Sequence, residues 1–355
     1  MSLQNVKISR DENAWEVEVY AEVPLEVIQT YRTQALNDIQ KSAKLDGFRK
    51  GHAPIERIIE IYGEPTILRE AAERAIQHEL PELLAAEHLL IVEAPKVTIE
   101  KIEEGKVLHF SSRAPLAPEI TLPDYKRIAA NINATKEDIS VTDEEHAQAL
   151  THLRREKARI NKMEAGLEPQ KAHEESRALD TDELPALDEA FVQSLGIESV
   201  EKFSETVRSN IKTEKEMQAR EKRRAEILDD LVKESTIKYP SVLRGYELDD
   251  MEARIKHDLE RMGTNFDAYL AQAKKTREQL RTEWLNAADK RAKVRLILSE
   301  IARGEHIDPS QERLEKEVER ARQHIPNADP VALRAHIAHA LRNEATLEFL
   351  EKQEK

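Results

Sequence analysis

The sequence predicts an α+β amino-terminal domain, then an extended linker, then an elongated all-α carboxy-terminal domain with helical arms. Three observations carry this. Period-two alternation of apolar and polar residues is confined to residues 3–22 and 97–111. Three prolines, Pro115, Pro118 and Pro123, interrupt the chain just beyond. From Ser199 onward apolar residues recur at helical spacing almost without a break. Composition agrees: among 355 residues, 39% are hydrophobic, 4% aromatic and 35% charged. That balance suits long helices with much exposed surface and thin local cores.

Residues 3–9 and 14–22 read as strands. Trp15, Val17, Val19 and Ala21 take one face, with Glu16, Glu18, Tyr20 and Glu22 on the other. Arg10–Asn13 is the expected turn. Pro24 opens a helix with Leu25, Ile28, Ala35, Leu36 and Ile39 at helical spacing. A short helix is expected over 55–61 and a longer one over 66–87, the latter carrying Leu68, Ala72, Ile76, Leu80 and Leu83. Residues 97–102 and 107–111 read as a second hairpin around Glu103-Glu104-Gly105. The prolines hold 114–123 extended.

Thr142 is an expected N-cap with Glu145 completing a capping box. The helix beginning at Ser199 has apolar ends and a charged middle, 214–224, which reads as a strut crossing open space. Later helices are expected to open at Pro240-Ser241, Thr264, Thr276, Asp308-Pro309 and Asp329-Pro330. Gly263 and Gly304 are expected stops. The domain division that follows is 1–114, 115–160, 161–185 and 186–355. The third piece is a short polar connection.

The formal charge of -14 argues against broad, non-specific nucleic-acid binding, so any RNA contact must be local. There are no cysteines, hence no disulfide or thiolate chemistry. The first residues contain no apolar signal core, and no stretch has the length of a membrane span. A soluble, cytoplasmic protein with no membrane contact is expected. His336 and His339 stand three apart with no third ligand in the pattern, and His78 and His88 are too far apart for HExxH. No glycine loop has a phosphate-cradling spacing. Pairs such as Asp249-Asp250 read as solvated helix faces. The expectation is no cofactor, no metal and no enzyme activity.

One stretch stands apart: Gly47-Phe48-Arg49-Lys50-Gly51-His52-Ala53-Pro54. It sets an aromatic and two or three cations on a tight loop between glycines. Phe48 is expected to point outward. Pro54 is expected at the first position of the next helix. Spacing alone does not separate this loop from an ordinary basic helix–helix connection.

GFRKGHAP resembles the G-F-R-x-G-(K)-x-P signature of the trigger factor family, bacterial chaperones that dock beside the ribosomal exit tunnel. Gly47, Phe48, Arg49, Gly51 and Pro54 match it. Lys50 fills the variable position, and His52 stands where the family usually has Lys, making one charge conditional on pH. The resemblance implies that these residues, with Lys44 and Lys41 nearby, bind the ribosome: an exit-tunnel protein and ribosomal RNA. The amino-terminal domain would then be the ribosome-binding one. The flanks Val141-Thr142-Asp143-Glu144 and Leu187-Asp188-Glu189-Ala190-Phe191-Val192 also match. Most family members insert a prolyl isomerase domain between these flanks. Only the short polar stretch 161–185 stands there, so the chain resembles a variant lacking that domain. No acceleration of proline-limited refolding is expected.

The implied function is ATP-independent shielding of nascent or unfolded chains in a helical cradle. Met217, Met251 and Met262 are candidate client contacts. Met217 has charged neighbours and is expected outside. Met251 and Met262 share a stripe with Ile255 and Leu259, which favours the core. A helical scaffold or adaptor without client binding is the alternative. Whether the free protein forms a homodimer stays open.

Overall fold

The computed structural model describes residues 2–43, 48–101, 107–135, 139–325 and 328–354. Lys44, Gly47 and the expected turn Glu103-Glu104-Gly105 lie outside them. Most described residues are helical, with one small sheet and a two-stranded ribbon. None of the described helices is long and apolar enough to cross a membrane. The chain divides into two compact units, Met1–Pro123 with Glu234–His306, and Asp124–Lys233 with Ile307–Lys355. This differs from the sequential division expected above. Residues 234–306 group with the amino-terminal part rather than with the rest of 186–355.

In the first unit, β1 (Gln4–Asp11) and β2 (Glu16–Val23) form the expected hairpin. Its turn begins later than Arg10, because Asp11 starts it: the Asp11 carboxylate accepts from the N–H groups of Asn13 and Ala14 at 2.9 and 3.0 Å. Then come α1 (Leu25–Ser42), α2 (Ile55–Tyr62), α3 (Glu64–Ala86), β3 (Lys96–Lys101) and β4 (Leu108–Pro115). The sheet is antiparallel with order β1-β2-β4-β3. Alternation does what it predicts. Trp15, Val17, Val19 and Ala21 are buried against Leu68, Ala72, Ile76, Leu80 and Leu83 of α3 and Phe110 of β4.

The proline-rich stretch is extended but not free. β4 runs into it as far as Pro115, and Leu116 joins the core. The Trp15 indole N–H donates to Ala117 O at 2.9 Å. A further strand, β5 (Glu119–Thr121), pairs antiparallel with β6 (Thr236–Lys238), which lies in a stretch read as almost entirely helical.

The unit closes with α9 (Ser241–Arg261), α10 (Phe266–Ala273) and α11 (Arg277–Gly304). Asn265, not Thr264, caps α10 with its side chain. Thr276 caps α11 in a capping box with Gln279, as expected. α9 and α11 run antiparallel and are joined by charge. The buried Glu247 takes Arg291 and Arg295, and the buried Glu252 takes Arg277, Arg281 and Lys256. Asp249 and Asp250, read as solvated, pair with Arg281 and Arg295.

The second unit opens with α4 (Tyr125–Asn133), a helix the sequence reading placed within the linker. α5 (Asp143–Glu164) has the expected Thr142–Glu145 capping box. The stretch read as a polar connection is ordered. It forms α6 (Pro169–Ala178) and a 3-10 turn at Thr181–Glu183, burying Ala172, Ser176 and Leu184. Helical spacing was hard to see because Ala and Ser are the buried residues. α7 (Glu189–Ser194) follows, capped by Asp188. Then α8 (Val200–Glu234) runs unbroken for 35 residues.

The charged middle of α8 is not a bare strut. Lys215 Nζ meets both Glu145 oxygens at 2.8 and 3.0 Å, and Arg220 and Arg224 bind Glu351. α12 (Gln311–His324) is capped by Ser310, while Asp308 instead receives Arg342 at 2.7 Å. α13 (Pro330–Glu351) has Asp329 as N-cap with proline in its first turn, as expected. Its carboxy-terminal end is held by Asn133, whose Nδ2 donates to Leu350 O and Gln353 O.

Candidate functional site

The signature loop is built between the end of α1 and the start of α2. His52 N–H donates to Arg49 O at 3.0 Å, closing a four-residue turn. Gly51 occupies its third position with φ 84°. A turn with positive φ there favours glycine, since a Cβ would strain the backbone. A Cβ at Gly51 would meet only ordinary contact, with Lys41 Cα at 3.9 Å, so the constraint is backbone conformation rather than space.

Two anchors fix the loop from below. Ala43 and Ala53 are buried beside Leu36, Ile58 and Ile67 in a small core. The Gln40 side chain donates to Ala53 O at 2.7 Å. Pro54 stands at the N-cap of α2, one position before the first helical residue. The helix itself begins at Ile55, as expected; only the proline sits one position earlier than its expected first helical place. Its carbonyl accepts from Arg57 and Ile58. Among the described residues no side chain caps α2, which leaves the N–H groups of Ile55 and Glu56 without a capping partner.

Above these anchors Phe48 is 41% exposed, and Arg49, Lys50, His52 and Pro54 are exposed too. Neither Arg49 nor Lys50 has an ion-pair partner among the described residues. Lys41 does: its Nζ lies 3.3 Å from Asp38, which also takes Arg74 at 2.6 Å. Those hydrogen bonds, Arg74's first, hold the Asp38 carboxyl below its usual range. Lys41 thus has a partner within its own helix, unlike Arg49 and Lys50.

Sequence reasoning missed Gln40 and the exposed apolar residues Ile55, Ile61 and Tyr62 of α2, the helix that follows the loop. A signal for the latter was present. The eight residues of α2 hold more large apolar side chains than one helical face can bury.

The methionines fall on separate elements. Met217, on α8 in the second unit, is 63% exposed. Met262, at the carboxy-terminal cap of α9 in the first unit, is 77% exposed, contrary to its expected place in the core. The helix ends there, with Gly263 at φ 76° turning the chain away, so the stripe has no further turn to cover it. Met251 is half-buried.

Among the described residues His78, Glu79 and Glu82 bring potential ligand atoms within 4.8 Å. Glu79 already accepts from Ser2 N–H and the Tyr31 hydroxyl, and we assign no metal there. His339 is hydrogen-bonded to Asn343.

The family described as "Bacterial trigger factor protein (TF)" matches residues 4–153, and its "C-terminus" counterpart matches residues 199–350. The chain belongs to the trigger factor family. Curated trigger factors resemble it along most of their length. That of Bacillus pumilus is 23% identical, covering 84% of this chain and 86% of the relative. That of Caldicellulosiruptor bescii is 24% identical, covering 86% and 84%. A solved structure described as "Promiscuous Substrate Recognition in Folding and Assembly Activities of the Trigger Factor Chaperone" shares the fold with a TM-score of 0.53. It covers 99% of this chain and 100% of that one, at 15% identity.

Proposed function

We propose that this protein is an ATP-independent chaperone that docks at the ribosomal exit tunnel through residues 47–54 and shields nascent or unfolded chains on its helical regions. The observation that carries the reading is the pairing state of the loop. Phe48, Arg49 and Lys50 are exposed on a turn whose neighbours Gln40, Ala43 and Ala53 are fixed. A turn anchored in this way, presenting an aromatic and two cations with no ion-pair partner among the described residues, loses less entropy on binding than a free loop.

The chemistry suits a mixed partner. Arg49 and Lys50 can pair with RNA phosphates. The uncapped N–H groups at the start of α2 add donors for the same anions. Phe48 can fill an apolar pocket on a rim protein. Lys44 and Gly47 belong to the proposed surface by sequence. Met217 and Met262 fit client contact by their exposure, and the half-buried Met251 fits it less well. A cytoplasmic location follows from the ribosomal partner. The ordered segment 161–185 supports a chaperone without prolyl isomerase activity.

Co-sedimentation with bacterial ribosomes tests the docking. The wild type is expected to pellet with ribosomes, and the triple variant Phe48→Ala/Arg49→Ala/Lys50→Ala to stay in the supernatant. Equal pelleting of the two would remove the loop from the interface. No pelleting of either would favour the scaffold reading.

A further inference from the structure

Helix α3 and strand β3 leave an open groove between them, about 1040 Å³ in volume. Ile76 and Leu80 line it from the helix, and Val97, Thr98 and Ile99 from the strand. Ile76 and Leu80 are buried, while Val97 is 41% exposed. An apolar trough alone does not say what fills it. The backbone along its walls does.

β3 is the last strand of the sheet, and among the described residues it pairs only with β4. Its outer edge therefore offers N–H and C=O groups with no strand beside them. Natural proteins blunt such edges with lysine, proline and bulges. Here the guards stand only at the ends: Pro95 and Lys96 before, and a bulge between Ile99 and Lys101 after. Between them Val97, Thr98 and Ile99 carry no charge, and all three residue types favour strands. The helical wall lacks a main-chain donor as well. Pro81, inside α3, has no N–H for the carbonyl four residues back, at Gln77. Gln77 and Pro81 both line the groove.

We propose that this groove binds an extended polypeptide segment, which adds to the free edge of β3 as a further strand and directs alternate apolar side chains toward Ile76 and Leu80. Main-chain pairing supplies the affinity and the apolar floor selects the side chains. A small apolar molecule would fill the floor but leave the strand edge unpaired. The short unguarded edge limits the pairing to a few residues, which suits brief, sequence-tolerant capture. The site uses none of the residues of the docking loop and none of the three methionines, and it does not depend on ribosome docking.

The test uses the full chain and a fluorescein-labelled decapeptide of alternating valine and threonine between flanking lysines. Binding is read by fluorescence anisotropy and by amide hydrogen exchange. Saturable binding is expected, with exchange slowed in the peptide-bond amides of residues 96–100. Val97→Asp, an exposed position, should weaken binding about tenfold or more by setting an unpaired charge against the apolar floor, with an unchanged thermal melt. The same decapeptide methylated on every backbone nitrogen between the lysines should not bind. Phe48→Ala/Arg49→Ala/Lys50→Ala should bind like the wild type, and Val97→Asp should still pellet with ribosomes if the wild type does. The proposal is overturned if the peptide does not bind, if the N-methylated peptide binds as well as its parent, if protection falls elsewhere, or if Val97→Asp binds unchanged.

Discussion

Arg224 of α8 grips the last residue of α13, Glu351, through two parallel hydrogen bonds: Nε to Oε1 at 2.8 Å and Nη2 to Oε2 at 3.1 Å. Arg220, one turn earlier, binds the same carboxylate through Nε and Nη2, both at 2.7 Å. Arg224 also reaches Glu344 at 2.7 Å. Bidentate guanidinium–carboxylate pairs combine geometric specificity with strength. Both Arg224 and Glu351 are largely withdrawn from water. The charged centre of α8 is therefore a clamp on α13.

Removing one arm of this clamp leaves Glu351 partly buried with less compensation. Arg224→Ala is expected to destabilise the unit containing α8 and α13 by roughly 3 kcal/mol. Urea unfolding followed by circular dichroism measures it. Because the residues share one network, Arg224→Ala/Glu351→Ala should cost clearly less than the sum of the single variants. Additive losses would show that the two side chains act independently.

Stability should fall in acid. Burial pushes the Glu351 carboxyl up, but hydrogen bonds from Arg220 and Arg224 outweigh it and bring the group down to about 2. Glu252 also reaches about 2, where Lys256, Arg277 and Arg281 overcome its burial. The unfolded carboxyls titrate near 4.5. Each therefore contributes its full stabilisation above that pH and loses it as pH falls toward about 2, with roughly 3 kcal/mol per group as an upper bound. Glu351→Gln should be less stable than wild type at neutral pH and show a shallower loss of stability between pH 4.5 and 2. Parallel pH profiles would rule out Glu351 as a source of the acid sensitivity.

Ribosome affinity should depend on salt through the loop. If Arg49 and Lys50 each meet a phosphate, Arg49→Ala and Lys50→Ala should each lower the slope of log affinity against log salt by about 1. Phe48→Ala should weaken binding without altering that slope, because it removes an apolar contact. A slope unchanged by both cation variants would place the phosphate contacts elsewhere.

Loop geometry should matter separately from loop charge. Gly51→Ala forces a side chain into a left-handed backbone, at a cost of about 1 kcal/mol. Gln40→Ala removes the bond that holds Ala53 O, worth about 1 kcal/mol. Both variants are expected to lose several-fold in ribosome affinity while keeping the wild-type salt slope. Wild-type affinity in both would show that the turn does not need to be preorganised.

Features that depend on residues within a turn or two of one another were legible in the sequence. Alternation at Trp15, Val17, Val19 and Ala21 marked β2, and the Thr142–Glu145 and Thr276–Gln279 boxes marked two helix starts. The composition of GFRKGHAP marked the exposed loop, because a glycine-bounded cationic turn has few ways to hide its side chains. Tertiary structure decided everything that joins distant segments. It paired β5 with β6, and it buried Glu247 and Glu252 as partners of α11 arginines. It also gave the strut-like middle of α8 a clamp on α13, and left Met262 outside where its stripe ran out. A charged residue in a helix reads the same whether water or an arginine from another helix meets it. Only the packing that brings the arginine there tells them apart.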